Sequence, residues 1–216
     1  MESQQTSKPS GVTVVEHPLA ALALSALRAE RTPTDEFRRH LQNLAVILLA
    51  ESSRSWARFP IELETPLGAC EGAALARPVT LVPILRAGLG MVDGILRVLP
   101  DATVGHLGLY RDEATLRPVT YYSRLPKNVD EATELLLDPM LATGQSAAAA
   151  VSILKSHGAH SITFVCVVAC PTGIAHLQQA HPEVPIVTAA IDPELNNVGY
   201  IVPGLGDAGD RYFGTR

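Results

Sequence analysis

The sequence of 216 residues is poor in cysteine, poor in charge and free of long apolar runs, and each shortage excludes a class of protein. The three cysteines are Cys70, Cys166 and Cys170, an odd number that argues against a disulfide framework. Charged residues make up 18% of the chain, and the formal net charge of −5 comes without a run of like charges. Because general nucleic-acid binders neutralise phosphates with a basic stripe, we expect no nucleic-acid partner.

Apolar runs that could cross a bilayer are also missing. The run at 44–50 is far shorter than the ~20 residues that a transmembrane helix needs. The first ten residues are polar and lack the charged-then-apolar order of a signal peptide. We therefore expect a cytoplasmic protein that does not bind membranes. Residues 1–14 are predicted to be a disordered or extended tail, followed by a single domain over 15–216 whose core draws on the 47% of hydrophobic residues.

Two pairs of metal-ligating side chains have simpler explanations than a metal site. Cys166 and Cys170 lie in an apolar stretch, so we predict core thiols on a buried strand and at its exit. His157 and His160 flank a glycine between a helical and a strand-like segment, which predicts a surface turn.

Short apolar runs alternate with helical segments, and this rhythm predicts the fold class. Candidate strands lie at 79–85, 103–109, 134–137, 161–168 and 184–191, and candidate helices end near 98 or lie at 145–156 and 173–180. The pattern predicts an α/β fold with a mainly parallel sheet and helices on both faces.

Two segments lie outside that rhythm. Thr32, Pro33 and Asp35 form a helix start signal, with the Thr32 hydroxyl as the cap, so we expect N-terminal helices before the sheet. The segment at 110–126 is rich in Arg, Tyr, Thr and Pro and predicts a flap or β-hairpin that projects from the sheet. Such a flap would shield a reactive intermediate from water.

The segment from Asp138 to Ser146 joins a strand end, a short loop and a helix start. A helix N-terminus has unpaired N–H groups and partial positive charge, so it suits a phosphate monoester, and the hydroxyls of Thr143 and Ser146 add donors. Asp138, one loop earlier, is placed to accept hydrogen bonds from sugar hydroxyls. The segment indicates a ribose 5-phosphate site, and the alternative is an ordinary helix capped by Thr143. No GxxxxGK[ST] occurs, which argues against a P-loop NTPase.

The turn after the strand at 79–85 carries Arg86, Gly88 and Gly90. Arginine presents a planar fork of donors that suits pyrophosphate, and the two glycines would let the backbone approach a ligand closely. An ion pair between Arg86 and a neighbouring acid is the alternative.

The stretch GLGDAG at 204–209 matches the dinucleotide fingerprint GxGxxG. That fingerprint must continue through a βαβ unit, and only seven residues follow Gly209, so we reject a dinucleotide site. The segment is either a plain surface loop or an irregular loop that exposes backbone donors and acceptors.

Several motifs together resemble the uracil phosphoribosyltransferases, which are type I phosphoribosyltransferases. DPMLATG at 138–144 is similar to the family's loop for 5-phosphoribosyl 1-pyrophosphate (PRPP), and VPILRAGLGM at 82–91 and GYIVPGLGDAGDR at 199–211 match in the same order. HPL at 17–19, YRDE at 110–113 and FGT at 213–215 are similar too. The likeness covers nearly all of the chain from about residue 15.

The resemblance implies a pentosyltransferase that converts uracil and PRPP to uridine 5′-monophosphate (UMP) and pyrophosphate in pyrimidine salvage. It implies PRPP contacts from Arg86, Arg111, Asp138, Pro139, Met140, Leu141, Ala142, Thr143, Gly144, Gln145, Ser146 and Asp207. It implies uracil contacts from Ile201, Gly206, Asp207 and Ala208, mainly through the backbone. Mg²⁺ is expected to be held through PRPP without a dedicated protein cage, and no side chain is assigned as a general acid or base.

The family also implies a homodimer or homotetramer, and GTP activates some of its members. Gln145 departs from the family pattern, which has a second glycine there. A non-glycine residue would cost about 1–2 kcal/mol if the position required positive φ, and nothing if it only begins the helix. A weakened PRPP loop would favour the alternative function, a nucleotide-sensing regulator on the same fold.

Overall fold

The computed structural model describes residues 10–111 and 118–215, with side chains over 10–110 and 119–215. Its strands are β1 (Val12–Val14), β2 (Arg58–Thr65), β3 (Gly68–Leu75), β4 (Val79–Leu85), β5 (Thr103–Val104), β6 (His106–Arg111), β7 (Pro118–Arg124), β8 (Thr133–Leu137), β9 (Met140–Leu141), β10 (Ile162–Ala169), β11 (Ile186–Ile191), β12 (Glu194–Leu195) and β13 (Ile201–Val202). Its helices are α1 (Pro18–Arg28), α2 (Thr34–Ser52), α3 (Leu89–Leu96), α4 (Gln145–Ser156), α5 (Pro171–Ala180) and α6 (Ala208–Phe213). None of these helices combines the length and the apolarity that crossing a bilayer requires.

The central sheet runs in the order β1-β11-β10-β8-β4-β6-β7, with β5 beside β4 and β9 beside β10. All of its pairings are parallel except that of β6 with β7. The predicted α/β class with a mainly parallel sheet is confirmed.

Helices cover both faces of the sheet, as predicted. Leu135 and Leu137 of β8 face one cluster, which contains side chains of α1, α2, α3 and α6. Leu136 faces the other, which contains side chains of α4 and α5. Because successive side chains of a strand point to opposite faces, a strand buried on both sides is apolar on both, as the run of Leu135, Leu136 and Leu137 in β8 shows.

The start of α2 differs from the prediction. The helix begins at Thr34 with Pro33 as its N-cap, and no side chain caps it. The Thr32 hydroxyl instead donates to the carbonyl of Ala26, 2.6 Å away, and ties α2 back to the preceding helix.

Smaller differences concern boundaries. The strand predicted at 103–109 is divided at Gly105 into β5 and β6. Residues 12–14, at the end of the predicted tail, form β1 and pair with β11, while residues 1–9 lie outside the described part. The predicted core thiols Cys166 and Cys170 are buried, and the exposed His157 and His160 lie on the predicted surface turn.

The hairpin of β2 and β3 was not predicted. Its strands pair antiparallel along their whole length and are largely exposed. The alternation of the large apolar residues Phe59, Ile61 and Leu63 with Pro60, Glu62 and Glu64 was the signal that could have revealed it.

The hairpin expected at 110–126 is present as β6 and β7, which pair antiparallel. It begins earlier than predicted, at His106, and extends the edge of the sheet beyond β4. The segment 112–117 and the side chain of Arg111 lie outside the described residues.

Candidate functional site

Three loops meet beyond the carboxyl ends of β4 and β8, where ligands of parallel α/β sheets bind. They enclose a cavity of about 230 Å³. Its lining comes from the turn after β4, the loop after β8 and the C-terminal glycine-rich loop, through Ala87, Asp138, Met140, Ala142, Gly199, Tyr200, Ile201, Gly206, Asp207, Ala208 and Gly209.

The loop after β8 leads directly into α4. Gly144 is the N-cap of this helix in the left-handed region, with φ +78°, and no side chain caps the helix. A Cβ on Gly144 would lie 2.5 Å from the carbonyl oxygen of Gly173, so close packing also requires glycine. The alternative in which Thr143 caps an ordinary helix is therefore wrong, and the first amides of α4 have no side-chain acceptor from the cap.

Gln145 is the first residue of α4 and has helical conformation. The residue with positive φ is Gly144, one position earlier. Glutamine at this place forms a helix readily, so the departure from the family pattern carries no backbone strain.

Asp138 follows β8 and is partly buried between the loops. Its Oδ1 accepts a hydrogen bond from the amide of Met140, 3.3 Å away. Burial raises the pKa of the Asp138 carboxyl to about 7, an effect that the hydrogen bond from Met140 only partly offsets. The carboxyl group therefore titrates in the neutral range.

The other residues of the same loop divide between site and core. Met140 and Ala142 line the cavity, whereas Leu141 is buried in the sheet-face cluster of α4 and α5. The carbonyl of Pro139 accepts from the amides of Val167 and Val168 in β10. Residues 143–146 are not among the lining residues; they lead into α4 and form its first turn.

Arg86 lies in the turn after β4, and the peptide bond between Leu85 and Arg86 is cis. Its Nη2 donates to Oδ1 of Asp210 at 3.1 Å, and its guanidinium lies over the ring of Phe213 at 5.6 Å. The ion pair that we held as the alternative thus exists. The side chain of Arg86 is still 58% exposed at the rim of the site, so it can exchange partners.

The glycines of that turn also have a packing role, which was not predicted. A Cβ on Gly88 would meet the carbonyl oxygen of Leu137 at 2.3 Å, and one on Gly90 would meet the side chain of Leu41 at 2.5 Å. These glycines allow α3 to pack closely on β8 and α2.

The C-terminal loop is a tight structure between β13 and α6. Gly204 and Gly206 have positive φ values of 57° and 75°, and the bond between Val202 and Pro203 is cis. β13 pairs antiparallel with β12 and α6 follows the loop, an arrangement that differs from the βαβ unit of the dinucleotide fingerprint.

Asp207 has a structural role that sequence reasoning missed. Its Oδ1 caps α6 by accepting from the amide of Asp210 at 2.8 Å. Its Oδ2 accepts from the hydroxyl of Tyr200 at 3.2 Å, and the charge of Asp207 raises the pKa of that hydroxyl. Four further lining residues were missed, although they lie within the motifs that were singled out: Ala87, Gly199, Tyr200 and Gly209.

Comparison with known proteins gives a consistent result. The family model described as uracil phosphoribosyltransferase matches residues 14–215. The uracil phosphoribosyltransferase of Dictyoglomus turgidum is 52% identical over 206 residues, covering 95% of this chain and all of its own. That of Salinibacter ruber is 51% identical over 205 residues, covering 95% and 98%.

Solved structures agree. The AQ2163 protein from Aquifex aeolicus is 35% identical and superposes with a TM-score of 0.89 over 94% of this chain and 97% of its own. A hypoxanthine-guanine phosphoribosyltransferase from Bacillus anthracis, at 10% identity and a TM-score of 0.52 over 73% and 80% of the two chains, shows the shared fold alone. A family match over nearly the whole chain, together with relatives at about half identity, places the chain in the uracil phosphoribosyltransferase family.

Proposed function

We propose that this protein catalyses the transfer of phosphoribose from PRPP to uracil, forming UMP and pyrophosphate in pyrimidine salvage. One observation carries the proposal. The strand-end carboxylate of Asp138 and the glycine-rich loop around Gly206 line one cavity, so a sugar site and a planar-base site adjoin.

The sugar phosphate is proposed to bind along the loop after β8. The first amides of α4, with the hydroxyls of Thr143 and Ser146, face the 5-phosphate, because a helix N-terminus attracts anions. Asp138 accepts hydrogen bonds from the ribose hydroxyls when it is ionised. The backbone of the whole loop from Asp138 to Ser146 thereby follows the ribose phosphate.

The pyrophosphate is proposed to bind Arg86 and, from the hairpin, Arg111. Arg86 would leave Asp210 for the ligand, and an exposed ion pair of that kind contributes only about 0–1 kcal/mol. A bidentate contact with pyrophosphate oxygens is stronger, so the exchange favours the ligand.

The base is proposed to lie against the backbone of Ile201, Gly206 and Ala208. Displacement at the anomeric carbon breaks its bond to the pyrophosphate oxygen and forms the bond to the base nitrogen, through an oxocarbenium-like state. Arg86 stabilises the charge on the leaving group, and holding the two reactants together supplies much of the acceleration. The proton of the base nitrogen is not assigned to a side chain.

Mg²⁺ fits this arrangement because two carboxyl-bearing residues, Asp138 and Asp207, line the same cavity. Over residues 10–111 and 118–215, no group of three or more His, Cys, Asp or Glu side chains is arranged to hold a metal. The ion is therefore proposed to bind mainly PRPP oxygens and water, and to neutralise the charge of the leaving pyrophosphate.

The test is to incubate the purified protein with PRPP, Mg²⁺ and each nucleobase in turn and to measure nucleotide and pyrophosphate. We expect UMP from uracil and far less product from hypoxanthine, guanine or orotate. Bound PRPP without product from any base would overturn the proposal.

The regulator alternative depended on a decayed PRPP loop, and the helical conformation of Gln145 removes that argument. Gln145→Gly should lower stability by about 0.5–1 kcal/mol, because glycine is a poorer helix former. The KM for PRPP should stay within about twofold. A large improvement in that KM would mean that glutamine weakens the loop after all.

GTP activation and assembly as a homodimer or homotetramer are proposed on the family resemblance, as is a cytoplasmic location. Sedimentation with and without GTP measures the assembly, and UMP formation over a GTP titration measures the activation. A monomer at all concentrations, or a flat titration, would remove the respective proposal.

A further inference from the structure

The turn that begins the C-terminal glycine-rich loop is held by a carboxylate from the end of β11. Asp192 follows that strand and is 5% exposed. Its Oδ2 accepts a hydrogen bond from the amide of Gly204 at 2.8 Å. A buried carboxylate thus binds the backbone of the loop directly.

Arg28, the last residue of α1, completes the arrangement. Its Nη1 and Nη2 donate to Oδ2 and Oδ1 of Asp192, each at 2.7 Å. The same Nη1 also donates to the carbonyl oxygen of Gly204 at 2.9 Å. The ion pair therefore binds both backbone groups of Gly204, and its side chains are only 25% and 7% exposed.

Gly204 is the point where the chain folds back. Its φ is +57°, and a Cβ there would lie 2.2 Å from the carbonyl oxygen of Ile201. Ile201 on one side and Gly206 on the other both line the candidate cavity. The conformation of Gly204 therefore determines how far apart the backbone groups of these two residues lie.

A second arginine holds the next residue. Nη1 of Arg211 donates to the carbonyl of Leu205 at 2.7 Å, and Nη2 donates to the carbonyl of Ala29 at 2.6 Å, just beyond α1. Arg211 is 4% exposed, and its guanidinium lies 4.4 Å from the ring centroid of Phe37. The end of α1 is thus the common anchor of the loop.

We propose that Arg28 and Asp192 are positioning residues for base recognition, which act through Gly204. They hold the backbone around Ile201 and Gly206 at the spacing that the edge of a planar pyrimidine base requires. Neither side chain is among those that line the cavity, so their effect on the base is indirect. The inference rests on the proposed function, because it assigns the base to this loop.

The test compares Arg28→Lys, Asp192→Asn and the double variant by steady-state formation of UMP. Asp192→Asn is expected to raise the KM for uracil by about tenfold, because misplacement of a binding group is costly. Arg28→Lys is expected to raise the KM for uracil less, because the lysine ammonium keeps the ion pair with Asp192 although it lacks the forked donors of the guanidinium. The KM for PRPP should change by less than about twofold in both. The KM for uracil of the double variant should be no higher than that of Asp192→Asn, because without the carboxylate the cation at residue 28 has no ion-pair partner to hold.

The matched control is Glu183→Gln, which removes the ion pair of Glu183 with Lys155. Glu183 precedes β11, whereas Asp192 follows it. It is expected to leave both KM values unchanged. Hydrogen exchange of the backbone amides over 199–212 provides a second measurement. It is made on Arg28→Lys, because this variant keeps a positive charge at residue 28. Exchange there is expected to be faster than in the unsubstituted protein, and added uracil should slow it.

The outcomes separate the two hypotheses. If the unsubstituted protein makes no UMP, the proposed function fails. If it makes UMP while the variants lose thermal stability with unchanged KM for uracil, only the positioning role fails. Equal increases in the KM for uracil and the KM for PRPP would also overturn the positioning role. So would unaltered hydrogen exchange over 199–212 in Arg28→Lys.

Discussion

Tyr200 donates its hydroxyl hydrogen to Oδ2 of Asp207, 3.2 Å away, while the other oxygen of that carboxylate caps α6. Both residues line the candidate cavity. The tyrosine thus fixes the orientation of a carboxylate that is proposed to face PRPP or its metal ion.

Tyr200→Phe removes this hydrogen bond and keeps the ring. A hydrogen bond at a partly exposed site contributes about 0.5–1.5 kcal/mol, so we expect kcat/KM to fall by about two- to tenfold. Tyr121→Phe, on the exposed face of β7, is the control and should leave kinetics unchanged. Unchanged kinetics in Tyr200→Phe would show that the Asp207 orientation does not depend on the tyrosine.

The raised pKa of Asp138 predicts a pH dependence of PRPP use. The group is largely protonated below its pKa of about 7 and ionised above it. Because the ionised form accepts hydrogen bonds from the ribose hydroxyls, kcat/KM for PRPP should rise as the pH increases through 7. Asp138→Asn should lower kcat/KM for PRPP and flatten that part of the profile. A variant with the same profile and the same kinetics would remove Asp138 from the site.

Gly144→Ala tests the start of α4. An alanine there has positive φ and a Cβ 2.5 Å from the carbonyl oxygen of Gly173, so stability should fall by at least about 1–2 kcal/mol. Displacement of the helix start should also raise the KM for PRPP. The control is Gly158→Ala, beyond the other end of α4, where φ is also positive. Gly158→Ala should lower the melting temperature without changing the KM for PRPP. An equal KM for PRPP in Gly144→Ala and Gly158→Ala would contradict the anion site at the start of α4.

Glu134 predicts a pH dependence of stability. It is fully buried, and within residues 10–111 and 118–215 neither of its carboxyl oxygens has a hydrogen-bond partner. Burial raises the pKa of its carboxyl from 4.5 to about 7. The folded state therefore holds the proton more tightly than the unfolded state, and stability should fall as the pH rises from about 4.5 through 7.

Glu134→Gln cannot ionise, so the variant should gain stability relative to the unsubstituted protein as the pH rises. We expect a difference on the order of 1–3 kcal/mol between pH 5 and pH 8, measured by urea denaturation. Glu62→Gln, exposed on β2, is the control and should show no such trend. A constant difference across the pH range would mean that Glu134 is ionised or partnered in solution.

The sheet and the loop after β8 were predictable because their signals are local. The apolar runs of β4, β8 and β10 are buried on both faces, and such strands occur in parallel sheets. The start of α4 follows from consecutive residues after β8, so Asp138 and the helix N-terminus had to lie near each other. The apolar runs were sufficient to predict the parallel sheet, and the short spacing along the chain was sufficient to place Asp138 near the start of α4.

Tertiary structure alone determined how the C-terminal loop is held. Arg28 and Asp192 are separated by 164 positions, and no periodicity or motif relates a helix end to a strand end so far away. The packing roles of Gly88 and Gly90 likewise depend on which elements lie opposite them. Local sequence determined the elements and the chemistry of the loops, whereas the spacing of the backbone groups around Gly204 depends on contacts that form only when the chain is folded.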